Sequence, residues 1–160
     1  MELDGPNISR SQGGRYRLQL GAHERALLAA LPGQLRELLD TDDPSLGRLF
    51  PPAYPDDEAS DEEYRSLMRG ELTRGRLAAL EVVEATAAAE SLDEEQLTAW
   101  LGALESLRLV LGTQLDVTDE TFVDRLDPAD PRGPALALYG YLSWLQEQVV
   151  EALSGSLPDR

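Results

Sequence analysis

Carboxylates are the most abundant side chains in this sequence that could do chemistry. Glu81 and Glu84 lie three residues apart in an apolar stretch with helical spacing, as in helical bundles that hold two iron ions. Such bundles also need Glu-x-x-His pairs on other helices, whereas His23 is the single histidine and cysteine is absent. We therefore predict no catalytic residues, no metal ligands and no cofactor. We expect Glu81 or Glu84 to pair with an arginine such as Arg108.

Arginines offer a second kind of chemistry, the binding of carboxylates or phosphates. Arg65, Arg69 and Arg76 fall at positions i, i+4 and i+11 of a predicted helix, so they share one face. A guanidinium can donate two parallel hydrogen bonds to either kind of anion. These arginines either pair with the chain's own surplus acids or contact a partner. The functional interpretation is the partner contact.

An aromatic, proline-rich stretch at residues 48–57, R-L-F-P-P-A-Y-P-D-D, is the other candidate contact surface. Aromatic side chains between prolines lose little conformational entropy when they bind. We predict Arg48, Phe50 and Tyr54 as partner-binding residues. The alternative is a loop that packs Phe50 and Tyr54 onto the protein's own core.

The charge balance is strongly acidic, with 30 acidic against 14 basic residues and a net charge of −16. A field of this sign repels phosphate backbones and anionic lipid. We therefore expect no direct contact with nucleic acid or membrane, unless a local basic patch provides one.

Compartment and redox chemistry follow from what the sequence lacks. No run of 18 apolar residues is present, and residues 1–10 contain no apolar signal segment, so we predict a cytoplasmic protein. Without cysteine the chain can form neither a disulfide nor a thiolate metal site.

The pattern of apolar residues predicts a mainly α fold, a helical bundle of about four long helices with a small N-terminal β-hairpin. The hairpin is indicated by Gly13-Gly14, followed by alternation of apolar and polar residues from Tyr16 to Leu20. The predicted helices cover about 22–39, 61–89, 93–112 and 134–153. Proline within a helix removes a hydrogen bond, so we expect Pro32 to kink or break the first helix near Leu31.

This pattern predicts that the chain divides into three parts. Residues 1–14 are a flexible lead and the first hairpin strand, 15–153 form a single helical domain, and 154–160 are a flexible tail.

Four segments carry a resemblance to a known family: R-L-F-P-P-A-Y-P-D-D at 48–57, A-L-E-V-V-E-A-T at 79–86, L-R-L-V-L-G-T-Q-L at 107–115 and the aromatic final helix. Over about residues 15–153 the chain resembles an actinobacterial domain-of-unknown-function family, whose members are called AosR-like oxidative-stress transcriptional regulators. The resemblance implies a regulator that acts through protein contacts. A thiol-based redox switch, as proposed for the family, cannot operate in a chain without cysteine.

These observations predict a non-enzymatic regulatory protein that acts through protein–protein contacts in a stress response, with a sigma factor or polymerase subunit as the expected partner. The alternatives are a direct DNA-binding transcription factor and a small carboxylate-based metal-binding or hydrolytic protein. A homodimer is a further arrangement that would suit amphipathic helices.

Overall fold

The computed structural model describes residues 8–39, 73–115 and 131–155. The fold is mainly helical with a small antiparallel sheet, which confirms the predicted fold class. In chain order the elements are β1 (Ile8–Arg10), β2 (Tyr16–Leu18), α1 (Ala22–Leu39), α2 (residues 73–86), β3 (Ser91–Leu92), α3 (Glu94–Leu115) and α4 (Gly133–Ser154).

The predicted hairpin is present. A single turn of 3-10 helix, Gln12–Gly14, joins β1 to β2. Gly13 and Gly14 have φ angles of +76° and +72°, in the left-handed region that glycine adopts without a steric penalty. Tyr16 and Leu18 are buried and the residue between them is exposed, as expected for a strand with one face on the core.

A third strand, β3, was not predicted. It pairs antiparallel with β2, and Leu92 lies opposite Tyr16, so β2 is the central strand. The sequence indicated only the end of one helix and the start of the next in this region. A strand of two residues is too short to show alternation, so its pattern could not be read.

Helix α1 runs without a break across Pro32, so the expected break near Leu31 is not present. Proline in a helix interior costs about 3 kcal/mol. Burial of a leucine side chain contributes about 1.5–3 kcal/mol. Leu28, Leu31 and Leu35 are buried on the same helix, so the packing of this face outweighs the lost hydrogen bond.

Helix α3 begins with a reciprocal cap. The side chain of Asp93 accepts a hydrogen bond from the backbone N–H of Gln96 at 2.7 Å, and the Gln96 side chain accepts one from the Asp93 N–H at 2.9 Å. The cap lies at the predicted start of this helix, residue 93. The helix ends at Leu115, three residues beyond the predicted end at Gly112.

Helices α3 and α4 run antiparallel and form the centre of the core. Arg132 at the start of α4 hydrogen-bonds the carbonyl of Leu115, whereas Arg108, earlier in α3, reaches Gln146, later in α4. Side chains from both helices and from the sheet are buried together: Ile8, Tyr16, Leu18, Leu97, Trp100, Leu104, Leu142, Leu145 and Val149.

A buried hydrogen bond links α2 to α3. The indole N–H of Trp100 donates to Thr86 Oγ1 at 2.7 Å, and this hydroxyl donates to the carbonyl of Val82 at 2.5 Å. Trp100 has no solvent exposure, so the threonine oxygen satisfies a donor that water does not reach.

Arg25 links the sheet to helix α1 through hydrogen bonds. Its guanidinium donates to four backbone carbonyls, those of Leu18, Leu20, Ala87 and Ala89, at 2.6–3.1 Å. The first two belong to β2 or follow it, and the other two precede β3. One side chain therefore holds the end of β2 and the segment before β3 against the start of α1.

The two ends of the described chain are also joined. Arg10 on β1 donates to the carbonyl of Gly155 at 2.9 Å.

A hydrogen bond also links α4 to α1. The Tyr141 hydroxyl on α4 donates to a carboxylate oxygen of Glu24 on α1 at 2.6 Å. Burial, together with the hydrogen bond to Glu24 and its negative charge, raises the pKa of Tyr141 well above its ordinary value.

Candidate partner-binding surface

Most of the residues that the sequence predicted to bind a partner lie outside the described residues: Arg48, Phe50, Tyr54, Arg65 and Arg69. Their roles stay predictions. Arg76, on α2, is the predicted contact residue that the structure describes.

Arg76 faces α3. Its guanidinium donates to Ser106 Oγ at 2.6 Å, and the side chain is half-buried. Burial lowers the pKa of Arg76, and the negative charge of Glu105 opposes this effect. The side chain therefore contributes to the contact between α2 and α3, while its predicted role in partner binding stays a prediction.

The expected pairing of an α2 carboxylate with an arginine is confirmed, although the arginine differs from the example given. Glu84 forms an ion pair with Arg36 of α1, and not with Arg108. Glu81 is exposed. The ion pair joins α1 to α2, so it has a structural role.

Arg108 is held by three side chains of α4. Nε donates to Ser143 Oγ at 2.9 Å, Nη1 to Gln146 Oε1 at 2.8 Å and Nη2 to the Tyr139 hydroxyl at 3.3 Å. The guanidinium carbon lies 5.4 Å from the centroid of the Tyr139 ring, within the range of a cation–π contact. All three hydrogen-bond partners are neutral, so the guanidinium charge is oriented but not neutralised by them.

Gly112 makes room for Tyr139. A Cβ at this position would lie 3.0 Å from Cε2 of the tyrosine ring, closer than ordinary van der Waals contact. The absence of a side chain at Gly112 thus lets Tyr139 pack against α3 and take the position from which it contacts Arg108.

A hollow of about 450 Å³ is lined by Arg108 of α3 and by side chains of α4. We call it the α3–α4 hollow, and its lining residues are Arg108, Ser143, Gln146, Glu147, Gln148, Val150 and Glu151. Val150 is 43% exposed, and among the described residues it is the only large apolar side chain that is exposed. Glu147 and Glu151 are exposed and one turn apart, and neither forms an ion pair within residues 8–39, 73–115 and 131–155. The hollow therefore combines one cation, one apolar side chain and two carboxylates.

An apolar groove of about 240 Å³ lies between α1, α3 and α4. Its lining is leucine and valine apart from two glutamines: Leu31, Gln34, Leu35, Leu38, Leu107, Val110, Leu111, Gln114, Leu138 and Leu142. None of the described residues that line it is charged, so they give no indication of the charge that a partner would need. The hollow is the more informative of the two surfaces.

The described part of the chain offers neither a metal site nor a membrane span. No group of three or more histidine or acidic side chains there is arranged to hold a metal ion. His23 is exposed near the start of α1. None of the described helices combines the length and apolar character that crossing a bilayer requires.

The arrangement around Arg108 was missed by sequence reasoning, although one signal was available. Tyr139, Ser143 and Gln146 are spaced i, i+4 and i+7, which places three hydrogen-bonding groups on one face of the last helix. Periodicity shows that such a face exists. It does not show which side chain of another helix lies opposite.

The described elements define a mainly helical domain with a small three-stranded sheet and a polar hollow on its surface. The model of the family described as "Domain of unknown function (DUF2017)" matches residues 6–153, and the chain belongs to this family.

The relatives of the chain carry a more informative name. It is 28% identical to the proteins named "Oxidative stress regulator AosR" of Mycobacterium bovis and Mycobacterium tuberculosis, over 93% of this chain and 87% of theirs. It is also 28% identical to the "Putative oxidative stress regulator AosR" of Mycobacterium leprae, over 91% of this chain and 86% of that protein. No solved structure matches the chain.

Proposed function

We propose that this chain is a non-enzymatic regulatory protein of the oxidative-stress response that acts in the cytoplasm through protein–protein contacts. The proposed partner belongs to the transcription machinery, as a sigma factor or a polymerase subunit. The observation that carries the proposal is similarity over nearly the full chain to relatives named oxidative stress regulators.

Charge supports protein contacts over direct binding of DNA. The net charge is −16, and a DNA-binding surface has to neutralise phosphates with clustered basic residues. Two arginines of the hairpin region, which could have formed such a cluster, already use part of their donor capacity in hydrogen bonds within the chain. Arg10 bonds the carbonyl of Gly155, and Arg15 bonds the side chain and carbonyl of Ser91.

The absence of cysteine bears on how such a regulator would respond to oxidants. No thiol is available for sulfenic acid or disulfide formation. The oxidant signal would therefore reach the protein through its partner, or through oxidation of Met68, which lies outside the described residues.

The test is capture of a partner by the tagged full-length protein from its source organism, with and without peroxide and after nuclease treatment. Proteins recovered are identified by mass spectrometry, and binding of the purified polymerase holoenzyme and sigma factors is then measured directly. Stoichiometric binding that survives nuclease is expected. Recovery that depends on nucleic acid, with a shift of promoter DNA at low salt, would replace the proposal by direct DNA binding.

The same assay tests the predicted arginine face. Arg65→Glu combined with Arg69→Glu should weaken partner binding at least about tenfold, because charge reversal replaces an attraction by a repulsion across the interface. Arg76 is left unchanged, since its bond to Ser106 holds α2 against α3. The single variants Arg65→Glu and Arg69→Glu are compared with Arg17→Glu, at an exposed position of β2, which changes the net charge by the same amount as each of them. Equal loss in the control would show that net charge alone, and not this face, governs binding.

A further inference from the structure

We propose that the α3–α4 hollow binds a carboxylate-bearing segment of a partner protein, and that the Arg108 guanidinium receives the carboxylate. The proposal rests on the proposed function, in that the partner is a protein, and it identifies the surface used and the chemistry recognised. The juxtaposition that carries it is an oriented arginine, an exposed valine and two carboxylates around one hollow.

Arg108 retains hydrogen-bonding capacity. An arginine side chain has five N–H groups, and three of those of Arg108 are donated to Ser143, Gln146 and Tyr139. One N–H on each terminal nitrogen is left, and these are the atoms that hold a carboxylate through two hydrogen bonds. The bonds to α4 already fix the guanidinium plane, so binding would cost little side-chain entropy.

Arg108 carries a charge that no described side chain neutralises. Its hydrogen-bond partners within residues 8–39, 73–115 and 131–155 are neutral. Glu147 and Glu151 line the same hollow, but neither forms an ion pair with it in the described part of the chain. A ligand carboxylate would supply a negative charge that the described residues do not place on this guanidinium.

The neighbours of Arg108 define the rest of the ligand. Val150 offers an apolar contact, while Glu147 and Glu151, which line the same hollow, favour a basic group in the ligand. They also repel a row of phosphates, so nucleic acid is disfavoured at this surface. The fitting occupant is a polypeptide segment in which an acidic, an apolar and a basic side chain lie close together.

The test uses the full-length protein, labelled for NMR, and the capped peptide acetyl-glutamyl-leucyl-arginine amide as the probe. We expect saturable shifts of the Arg108 Nε–H and Val150 methyl signals. The peptide with glutamine in place of glutamate should bind at least about tenfold more weakly, because it lacks the charge that Arg108 receives. Arg108→Gln should produce the same loss, and Arg17→Gln, on the exposed side of β2, should leave binding unchanged.

A second variant keeps the proposal falsifiable if Arg108→Gln does not fold. Glu151→Arg changes an exposed side chain of the hollow, so folding should be retained. It should tighten binding of the peptide acetyl-glutamyl-leucyl-alanine amide, because it replaces an anion of the hollow by a cation that attracts the glutamate of the peptide. No saturable shift in the wild type, or equal binding of the glutamate and glutamine peptides, would overturn the proposal.

These outcomes separate the hollow from the proposed function. Peptide binding that depends on Arg108, in a protein that captures no protein partner, would support the carboxylate site and remove the regulatory role. Partner capture without any peptide shift would keep the regulatory role and overturn the assignment of this surface.

Discussion

The hydroxyl of Thr86 is the acceptor for the buried indole N–H of Trp100. Replacement of Thr86 by valine keeps the shape of the side chain and removes the oxygen. The N–H of Trp100 would then be buried without an acceptor, which costs about 1–3 kcal/mol. We expect Thr86→Val to lower the free energy of unfolding, measured by urea denaturation, by this amount.

Thr98→Val is the matched control for this change. Like Thr86, Thr98 donates its hydroxyl to the carbonyl four residues earlier, that of Glu94, at 2.8 Å. Thr98 is exposed and has no tryptophan N–H to satisfy. Its replacement should change the free energy of unfolding by about 0.5 kcal/mol or less. Equal losses in the two variants would mean that the local hydroxyl bond, and not the tryptophan, is responsible.

Sequence reasoning predicted which side chains are buried better than which ones meet. Trp100, Leu104 and Leu107 fall at helical spacing in the predicted third helix, and all three are buried. Arg108 was expected to pair with Glu81 or Glu84, but its partners are on α4. Spacing determines the face of a helix on which a residue lies, whereas pairing depends on the rotation and offset between helices, which spacing does not specify.

Two glycines of α3 provide a comparison at the level of the element. A Cβ at Gly102 would meet only Ala79, at 4.0 Å, whereas one at Gly112 would lie 3.0 Å from the Tyr139 ring. Alanine is favoured over glycine in a helix by about 1 kcal/mol. Overpacking costs about 1–3 kcal/mol. We expect Gly102→Ala to stabilise the protein and Gly112→Ala to be less stable than Gly102→Ala by at least about 1 kcal/mol.

Urea denaturation of both variants checks this expectation. In Gly112→Ala the NMR signal of the Arg108 Nε–H should also shift, because the displaced Tyr139 contacts Arg108. Equal stabilisation by the two alanines, with no shift of the Arg108 signal, would show that Gly112→Ala does not displace Tyr139 at any loss of stability.

Elements with a clear period were predictable, and those governed by tertiary contacts were not. The hairpin, α1 and α4 lie where alternation or helical spacing indicated. The two-residue strand β3 exists because β2 offers it a partner, and α1 continues through Pro32 because its leucines are buried. Both outcomes depend on residues distant in the sequence, which local propensity does not include.

Alkaline pH should destabilise the whole molecule through Tyr141. Its pKa is raised in the folded protein by burial first, and then by Glu24, above the ordinary value of 10.0. Below about pH 10 the side chain is protonated in both states, and its contribution to stability is complete. Above that pH the unfolded chain loses the proton while the folded protein retains it, so the free energy of unfolding falls as pH rises.

Tyr141→Phe tests this linkage. The variant lacks the bond to Glu24, so near neutral pH it should be less stable than the wild type by about 1–2 kcal/mol. It also lacks the group that titrates, so its stability should fall less between pH 9 and about pH 11. The difference between the two proteins, measured by urea denaturation across this range, should therefore narrow. Parallel curves would assign the alkaline loss to other groups.

At the scale of the whole molecule, the type of binding group could be inferred from the sequence, but the position of the candidate site could not. Arginine as the binding group was inferred from its fork of donors, and the acidic balance argued against nucleic acid. The hollow beside Arg108 is made by α4 and α3 together, from residues about 35 positions apart. A surface of this kind exists only after the helices pack, so its residues carry no common local pattern.

The bond from Arg10 to the carbonyl of Gly155 spans 145 residues. Strand β1 can make this contact only after it has met the end of α4, so a long stretch of chain has to close into a loop first. The central strand β2 likewise pairs with β3 across a long separation, since Arg17 lies opposite Ser91. Because these native contacts join residues that are distant in the sequence, the sheet should form more slowly than the helices, whose contacts are local.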